Sequence, residues 1–390
     1  MLRKCRPQSG TWHYIVPRPC FCTKCRRIHV LFRGEFMMKF AFISILEESG
    51  YMARVVFLMD KIMRKFGLNG KSVVPLMSGV ACAIPAIMAT RTIDNWKERT
   101  ITILVTPLMS CSARLPIFTI LIALIVPSQT ALGFFNLQGL ALMGLYLLGF
   151  IAAIGSAWIM KLIIRVKERS YLIMEMPPYR IPKWSNVGYT IVEKTKAFVF
   201  EAGKIIMAIA IILWVLASYG PGDTLSRARE AVIEETKNMR LTEQGLEDRI
   251  AAYKLEHSYA GIIGKAIEPA IKPLGYDWKI GIALITSFAA REVFVGTMAT
   301  IYSIGSVGDE DAATIKTRMK EEINPETGGP RFTPAVGLSL LVFYTFAMQC
   351  MSTLAIVYRE TKGWKWPIIQ LTYMTVLAYV SALAVFQIMS

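Results

Sequence analysis

The run ERTITILVTPLMSCSARLPIFTILIALIV, residues 98–126, decides how this chain is read. From Thr100 onward it carries a single charge, Arg114, and it exceeds the about 20 apolar residues needed to cross a hydrocarbon core roughly 30 Å thick. Further runs of this kind lie at 139–164, 196–219, 279–303, 334–357 and 366–389. Two more are interrupted, 37–60 by Glu47, Glu48 and Arg54, and 73–90 by Pro75, Gly79 and Pro85. The 390 residues are 54% hydrophobic and only 18% charged, too little charge to cover a soluble domain of that length. The sequence therefore predicts an all-α, polytopic protein with the lipid bilayer as its surroundings. It excludes a disordered chain, a fibrous repeat and a disulfide-stapled secreted domain.

The formal charge of +16 is concentrated in particular stretches. Residues 1–36 carry Arg3, Lys4, Arg6, Arg18, Lys24, Arg26, Arg27 and Arg33 against Glu35 alone. This leader lacks the apolar core of a signal peptide and reads as a non-native start. The stretches 61–72, 91–99 and 165–195 are basic and adjoin apolar runs, as cytoplasmic loops do. No face interleaves basic and aromatic residues, so nucleic acid is not an expected partner.

Sidedness shapes the topology. Keeping those three stretches in the cytoplasm requires 73–90 to enter the membrane and return. Re-entrant backbone is tolerated only where protein or a water-filled path satisfies its amides, so this segment should line something. Making 279–303 a second broken, returning segment keeps the basic turn Arg359 to Lys365 in the cytoplasm. It exports 304–333 with its acidic cluster Asp309, Glu310 and Asp311. The expected organisation is a leader over 1–36, a first half over 37–164 and a basic cytoplasmic loop over 165–195. A second half follows over 196–390, with a polar extramembrane insert over 220–277 that has a helical pattern near 226–256.

An internal repeat supports two halves. Met109-Ser-Cys111-Ser-Ala-Arg-Leu115 and Met348-Gln-Cys350-Met-Ser-Thr-Leu354 share M-x-C-x-x-x-L, each inside an apolar run. Each follows a run with buried acid, Glu47 and Glu48 in one case and Glu292 in the other, at similar separation. Halves of opposite topology whose broken helices meet at the midplane are a common transporter plan.

The chemistry lies in sulfur and carboxylate. Cys82, Cys111 and Cys350 occur singly in apolar runs, accompanied by Met109 and Met348. Thiolate and thioether suit softer metals and carboxylate suits harder ones, so with Glu47, Glu48 and Glu292 the set fits a borderline ion such as Fe²⁺. The competing reading makes the thiols ordinary core residues. Charges in apolar runs are expensive and mark function by default. Arg54, Arg114 and Arg291 are expected to pair with acids, and the glutamates to face an ion. Gly70-Lys71-Ser72 ends like a phosphate-binding loop, but Lys65 stands where that motif needs glycine. Cys20, Cys22 and Cys25 with His13 and His29 match no standard zinc spacing.

Several long stretches resemble the membrane region of the ferrous iron transport protein B (FeoB) family. They are LEESGYMARVVFLMDKIM (46–63), GKSVVPLMSGVACAIPAIMATRTI (70–93) and ERTITILVTPLMSCSARLPIF (98–118), then IGKAIEPAIKPLGYDWKIGIALITSFAAREVFVGTM (263–298) and FAMQCMSTLAIVYRETKGWKWP (346–367). The resemblance runs from about residue 40 to the end. It implies two gate-like halves forming a path for Fe²⁺ across the bacterial inner membrane, coupled to a cytoplasmic G domain. It also implies that Cys82, Cys111 and Cys350 line the pore, with Glu47, Glu48 and Glu292 on gate helices. The family's Gly-Cys-Asn-Val-Pro is here Ala81-Cys82-Ala83-Ile84-Pro85, which removes a polar side chain beside the cysteine.

These residues contain no GxxxxGK[ST], so the chain reads as a fragment without the G domain and first helices of the family. On that reading it is a transporter and not an enzyme, with no tightly bound cofactor and Fe²⁺ as cargo. GTP would act only through a separate G-domain chain, and small accessory Feo proteins and further copies of the chain are the other partners implied. The rival functions are a permease for an organic solute such as a nucleoside, and an inert fragment unable to fold alone. Cysteines introduced at positions 310 and 362 are expected to react with impermeant reagent from opposite sides of the membrane; reaction from the same side contradicts the topology.

Overall fold

The computed structural model describes residues 44–66, 68–127, 130–131, 135–164, 179–220, 256–288, 332–348 and 350–389, with a few single positions between them. The leader, the pattern at 226–249, the acidic cluster at 309–311, Arg291 and Glu292 lie outside the described residues.

The first half opens with a helical turn at 44–48 that stops at Ser49 and Gly50. Gly50 has φ 80°, a left-handed conformation that costs glycine nothing and lets helix α1 (Tyr51–Met63) leave at a new angle. A 3-10 turn, Arg64–Phe66, follows. Asn69 then restarts the chain, its side chain accepting from the Lys71 amide. The interrupted run at 73–90 forms two short helices, α2 (Val73–Ala81) and α3 (Ala83–Ala89), joined by the one extended residue Cys82 and packed against each other. Asn95 caps α4 (Trp96–Val105) by accepting from the Lys97 amide at 3.0 Å. Beyond α4 come α5 (Leu115–Ile125), the two-residue strands β1 (Thr130–Ala131) and β2 (Phe135–Asn136), which pair antiparallel, and the long helix α6 (Leu137–Ile164).

A 35-residue helix, α7 (Trp184–Ser218), leads to the second half. It starts inside the stretch expected to be a loop, because Pro182 is the last breaker before a continuous run of helix-compatible residues. The second half contains α8 (Tyr259–Ile271), a 3-10 turn at Lys272–Leu274, α9 (Trp278–Ser287), α10 (Pro334–Phe346), α11 (Met351–Thr361) and α12 (Lys365–Met389). Thr333 caps α10 by accepting from the Val336 amide at 3.3 Å.

Among the described residues the two halves open with matching elements. Both α1 and α8 have 13 residues and are followed by a three-residue 3-10 turn. They start 208 residues apart, at Tyr51 and Tyr259, and Gly67/Gly275, Asn69/Asp277 and Lys71/Lys279 hold that register. Cys111 and Cys350 are 239 apart, and the extra length falls where the acidic loop 304–333 lies. At the earlier offset Glu292 stands opposite Ile84, and Glu48 opposite Glu256.

Among the described residues, four stretches are long and apolar enough to cross a membrane: Trp96–Ile125, Leu137–Ile164, Pro334–Thr361 and Lys365–Met389. The runs 100–126 and 334–357 were expected to be continuous, and both are broken, between α4 and α5 and between α10 and α11. Two large apolar clusters draw on both halves. One gathers Phe118, Leu121, Leu274, Ile280, Leu340 and Tyr344, and the other Leu76, Leu104, Leu108, Ala157, Phe346 and Met374. The described residues of the two halves therefore pack against each other.

Helix α6 turns a small-residue face inward, Gly149, Ala153 and Ala157, spaced by four and all buried. Gly144 and Gly155 face open space. A Cβ at Gly149 would lie 2.9 Å from the Ser110 hydroxyl and 3.4 Å from the Leu108 carbonyl, part of the rigid backbone where α4 ends. Gly149→Val is expected to lower stability by about 1–3 kcal/mol through overpacking. Gly155→Val should stay within about 0.5 kcal/mol. Thermal unfolding of both variants in detergent checks this.

Candidate functional site at three helix breaks

Cys82, Cys111 and Cys350 occupy the same structural position. Each has extended backbone (φ, ψ of −161°, 136°; −86°, 160°; −165°, 155°), and each immediately precedes the next helical segment. A break leaves the carbonyls of the preceding segment and the amides of the following one without helical partners. In a membrane interior those groups must be satisfied by protein or enclosed water.

Two side chains next to the cysteines do this. The Ser112 hydroxyl, one residue after Cys111, donates to the Ala81 carbonyl at 3.2 Å, one residue before Cys82. Arg114, fully buried, donates to the Ser110 hydroxyl at 3.1 Å and to the carbonyls of Pro107 at 3.5 Å and Ala347 at 3.4 Å. Ala347 ends α10, three residues before Cys350. Arg114 was expected to pair with an acid. Its bonds to Ser110, Pro107 and Ala347 reach a hydroxyl and the carbonyls of two broken segments, where the helix dipole supplies partial negative charge. Arg54 likewise lies over the Tyr179 ring, 3.4 Å from its centre.

Close packing completes the junction. A Cβ on Gly79 of α2 would lie 3.2 Å from the Thr106 side chain and 3.6 Å from that of Met109. Met109 and Met348 are 7% and 3% exposed and belong to the same apolar cluster. Cys111 is buried, while Cys82 and Cys350 are partly exposed. The Cys350 sulfur lies 3.0 Å from the Ser352 hydroxyl and 3.1 Å from that of Thr353. The Met351 amide donates to the Phe288 carbonyl at 3.1 Å, where α9 ends. The three cysteine breaks thus meet in one region, with both methionines beside them.

The acids behave differently. Glu47 is exposed, and Glu48 accepts from the Asn186 side chain at 2.9 Å, against the first turn of α7. Among the described residues, no three of His, Cys, Asp or Glu are placed to hold a metal ion together.

One signal in the sequence was longer than M-x-C. Thr106 and Thr345 extend both copies to T-x-x-M-x-C, and each is fully buried with its hydroxyl on the carbonyl four residues back, Thr102 at 2.6 Å and Leu341 at 2.8 Å. Glu360 is a residue that the sequence did not mark. It is 4% exposed, with Arg91 and Arg99 on its two oxygens. Nearby in sequence, Lys71 bonds to Asp94 at 2.8 Å, and that hydrogen bond with the lysine charge holds the Asp94 carboxyl below its ordinary range.

Comparison with known proteins agrees with this geometry. The Gate family model, described as nucleoside recognition, matches residues 36–125 and 199–364, the two halves of the duplication. The model for the ferrous iron transport protein B C terminus matches residues 142–194 between them. The chain belongs to the ferrous iron transport protein B family. It is 44% identical to an Fe(2+) transporter FeoB of Leptospira interrogans over 92% of this chain and 49% of the relative. A protein A/FeoB fusion of Porphyromonas gingivalis is 37% identical over 92% of this chain and 42% of the relative. The FeoB of Methanocaldococcus jannaschii is 37% identical over 88% and 45%. The chain spans about half the length of these relatives. No solved structure matches it. As a FeoB-family membrane region it is a multi-pass membrane protein.

In this FeoB-family chain Arg114→Met removes a donor from the Ser110 hydroxyl and from the Pro107 and Ala347 carbonyls at once. Each buried, unpaired polar group costs about 1–3 kcal/mol, so the variant is expected to lose about 2–5 kcal/mol. Arg114→Lys should recover part of it. Thermal unfolding in detergent checks both; an Arg114→Met protein as stable as wild type contradicts the role.

Proposed function

We propose that the chain is a permease core that carries Fe²⁺ across the bacterial inner membrane, the ion passing the junction of Cys82, Cys111 and Cys350. The observation that carries this is the union of three broken helices by Ser112–Ala81 and Arg114–Ala347. Broken helices meeting in the membrane core are where transporters place their substrate sites. Thiols and thioethers beside the carbonyls and hydroxyls at the breaks form a mixed sulfur and oxygen surface suited to a borderline divalent ion. The lack of a three-residue metal cluster among the described residues fits a cargo that must leave as readily as it enters.

Of the acids, exposed Glu47 suits an approach site, and Glu48, bonded to Asn186, suits a structural one. The relatives are named Fe(2+) transporters, and one is fused to transport protein A, which supports Fe²⁺ as cargo and an accessory protein as partner. A G domain acting with this region is the further partner that the resemblance implies. The Gate description favours a nucleoside as second reading. The side chains described at the breaks are thiols, thioethers, hydroxyls and one guanidinium, whereas a nucleoside needs amides and aromatic rings.

Reconstitution in liposomes under reducing conditions tests the proposal. Fe²⁺ entry should fall at least about ten-fold in Cys111→Ser or Cys350→Ser, since removing a ligand atom at a barrier worth about 1.4 kcal/mol changes the rate by ten. Entry unaffected by all three cysteine-to-serine changes overturns the thiol path, and nucleoside entry in its place would favour the second reading.

A further inference from the structure

The helices leaving the cysteine junction converge on a second feature. Helices α3 and α11 pack through Ile84, Ile87, Ile356 and Val357, and Ile103 of α4 joins the same cluster. Beyond α3, Arg91 grips Glu360 near the end of α11 through both Nε and a terminal nitrogen. The two helices are therefore parallel, with Cys82 and Cys350 at one end and the ion pair at the other. Helix α4 runs in the opposite direction, since Arg99 in its first turn binds the other Glu360 oxygen at 2.6 Å and Ile103 lies deeper. From Cys82 to Arg91 is about 13 Å along a helix.

The layer between is sealed. Ile84, Ile87, Ile103, Ile356 and Val357 are 3%, 0%, 0%, 1% and 0% exposed. A hydrated ion cannot pass through side chains packed to that density. One polar group is enclosed on the same side. Gln370 of α12 is fully buried, with neither amide atom hydrogen-bonded, and Trp366 one turn earlier packs on the isoleucine layer. A buried amide without partners favours any state that admits water to it.

We propose that Arg91, Arg99 and Glu360 form a latch that closes one end of the path, and that its release wets the isoleucine layer and Gln370. The latch joins the two halves, with partners 269 and 261 residues apart, so rocking of one half on the other must break it. Glu360 is sequestered, but Arg91 is half exposed, which makes Arg91 the arm that releases first. The inference rests on the permease reading for its purpose, and its test does not use Fe²⁺.

The experiment places a reporter in the sealed layer. Ile87→Cys is made in otherwise wild-type protein, in Arg91→Gln and in Glu360→Gln. Each is held in nanodiscs and treated with a hydrophilic maleimide, and fragment mass spectrometry reads modification at position 87. The reporter should be protected with the latch intact. It should react about ten-fold faster or more in either latch variant, because labelling follows the population of the open form. Equal rates in all three backgrounds overturn the latch. Rapid labelling of the reporter with the latch intact overturns the seal. Glu360→Gln removes the buried carboxylate that both arginines share and can fail to fold; Arg91→Gln, altered at a half-exposed side chain, then decides alone, with size-exclusion elution showing that it is folded. Cysteine-to-serine variants that leave Fe²⁺ uptake intact would remove the thiol path and leave this result standing.

Discussion

A helix that stops inside a membrane leaves carbonyls and amides that lipid cannot satisfy. The rest of this structure follows from how those groups are served. Ser112 serves the end of α2, and Arg114 serves the end of α4 and the end of α10 together. Because both side chains belong to the segment around Cys111, satisfying the backbone also draws the Cys82 and Cys350 breaks to it. The glycines answer the same demand, since Gly79 and Gly149 let α2 and α6 approach the broken segment more closely than a side chain would permit.

The arginine poses an electrostatic problem for a cation path. A guanidinium near a divalent ion in a medium of low dielectric repels it strongly. Here the charge sits against the carbonyl end of α10, which carries about half a negative charge by the macrodipole. The guanidinium is thereby offset by the breaks that it stabilises. Its two terminal nitrogens reach Ser110, Pro107 and Ala347 together, so a lysine of equal charge could not reproduce its reach across the halves.

Much of this was legible in the sequence, for identifiable reasons. Long apolar runs announce membrane helices, and Pro75, Gly79 and Pro85 announced a broken segment at 73–90. The repeated M-x-C marked two breaks that matter, because each copy needs cysteine where the helix opens. Pro107 stands at the break in 100–126, whereas the break in 334–357 was hidden. Ala347 to Cys350 contains no glycine or proline, and the interruption there is imposed by the tertiary contacts that receive its freed groups. Glu292 was matched to Glu47 and Glu48 by distance to cysteine, and it lies outside the described residues. Glu360 lies in a stretch that reads as a basic turn, and only the fold brings Arg91 and Arg99 to it across more than 260 residues.

The central claim is that sulfur atoms from the two halves meet at one ion path. X-ray absorption at the iron edge tests it most directly, on Fe²⁺-loaded protein in which Cys5, Cys20, Cys22 and Cys25 have been replaced by serine to silence the leader. The account predicts an iron shell containing more than one sulfur, reduced by Cys111→Ser and by Cys350→Ser separately. A shell of oxygen and nitrogen alone, unchanged by either substitution, would contradict it.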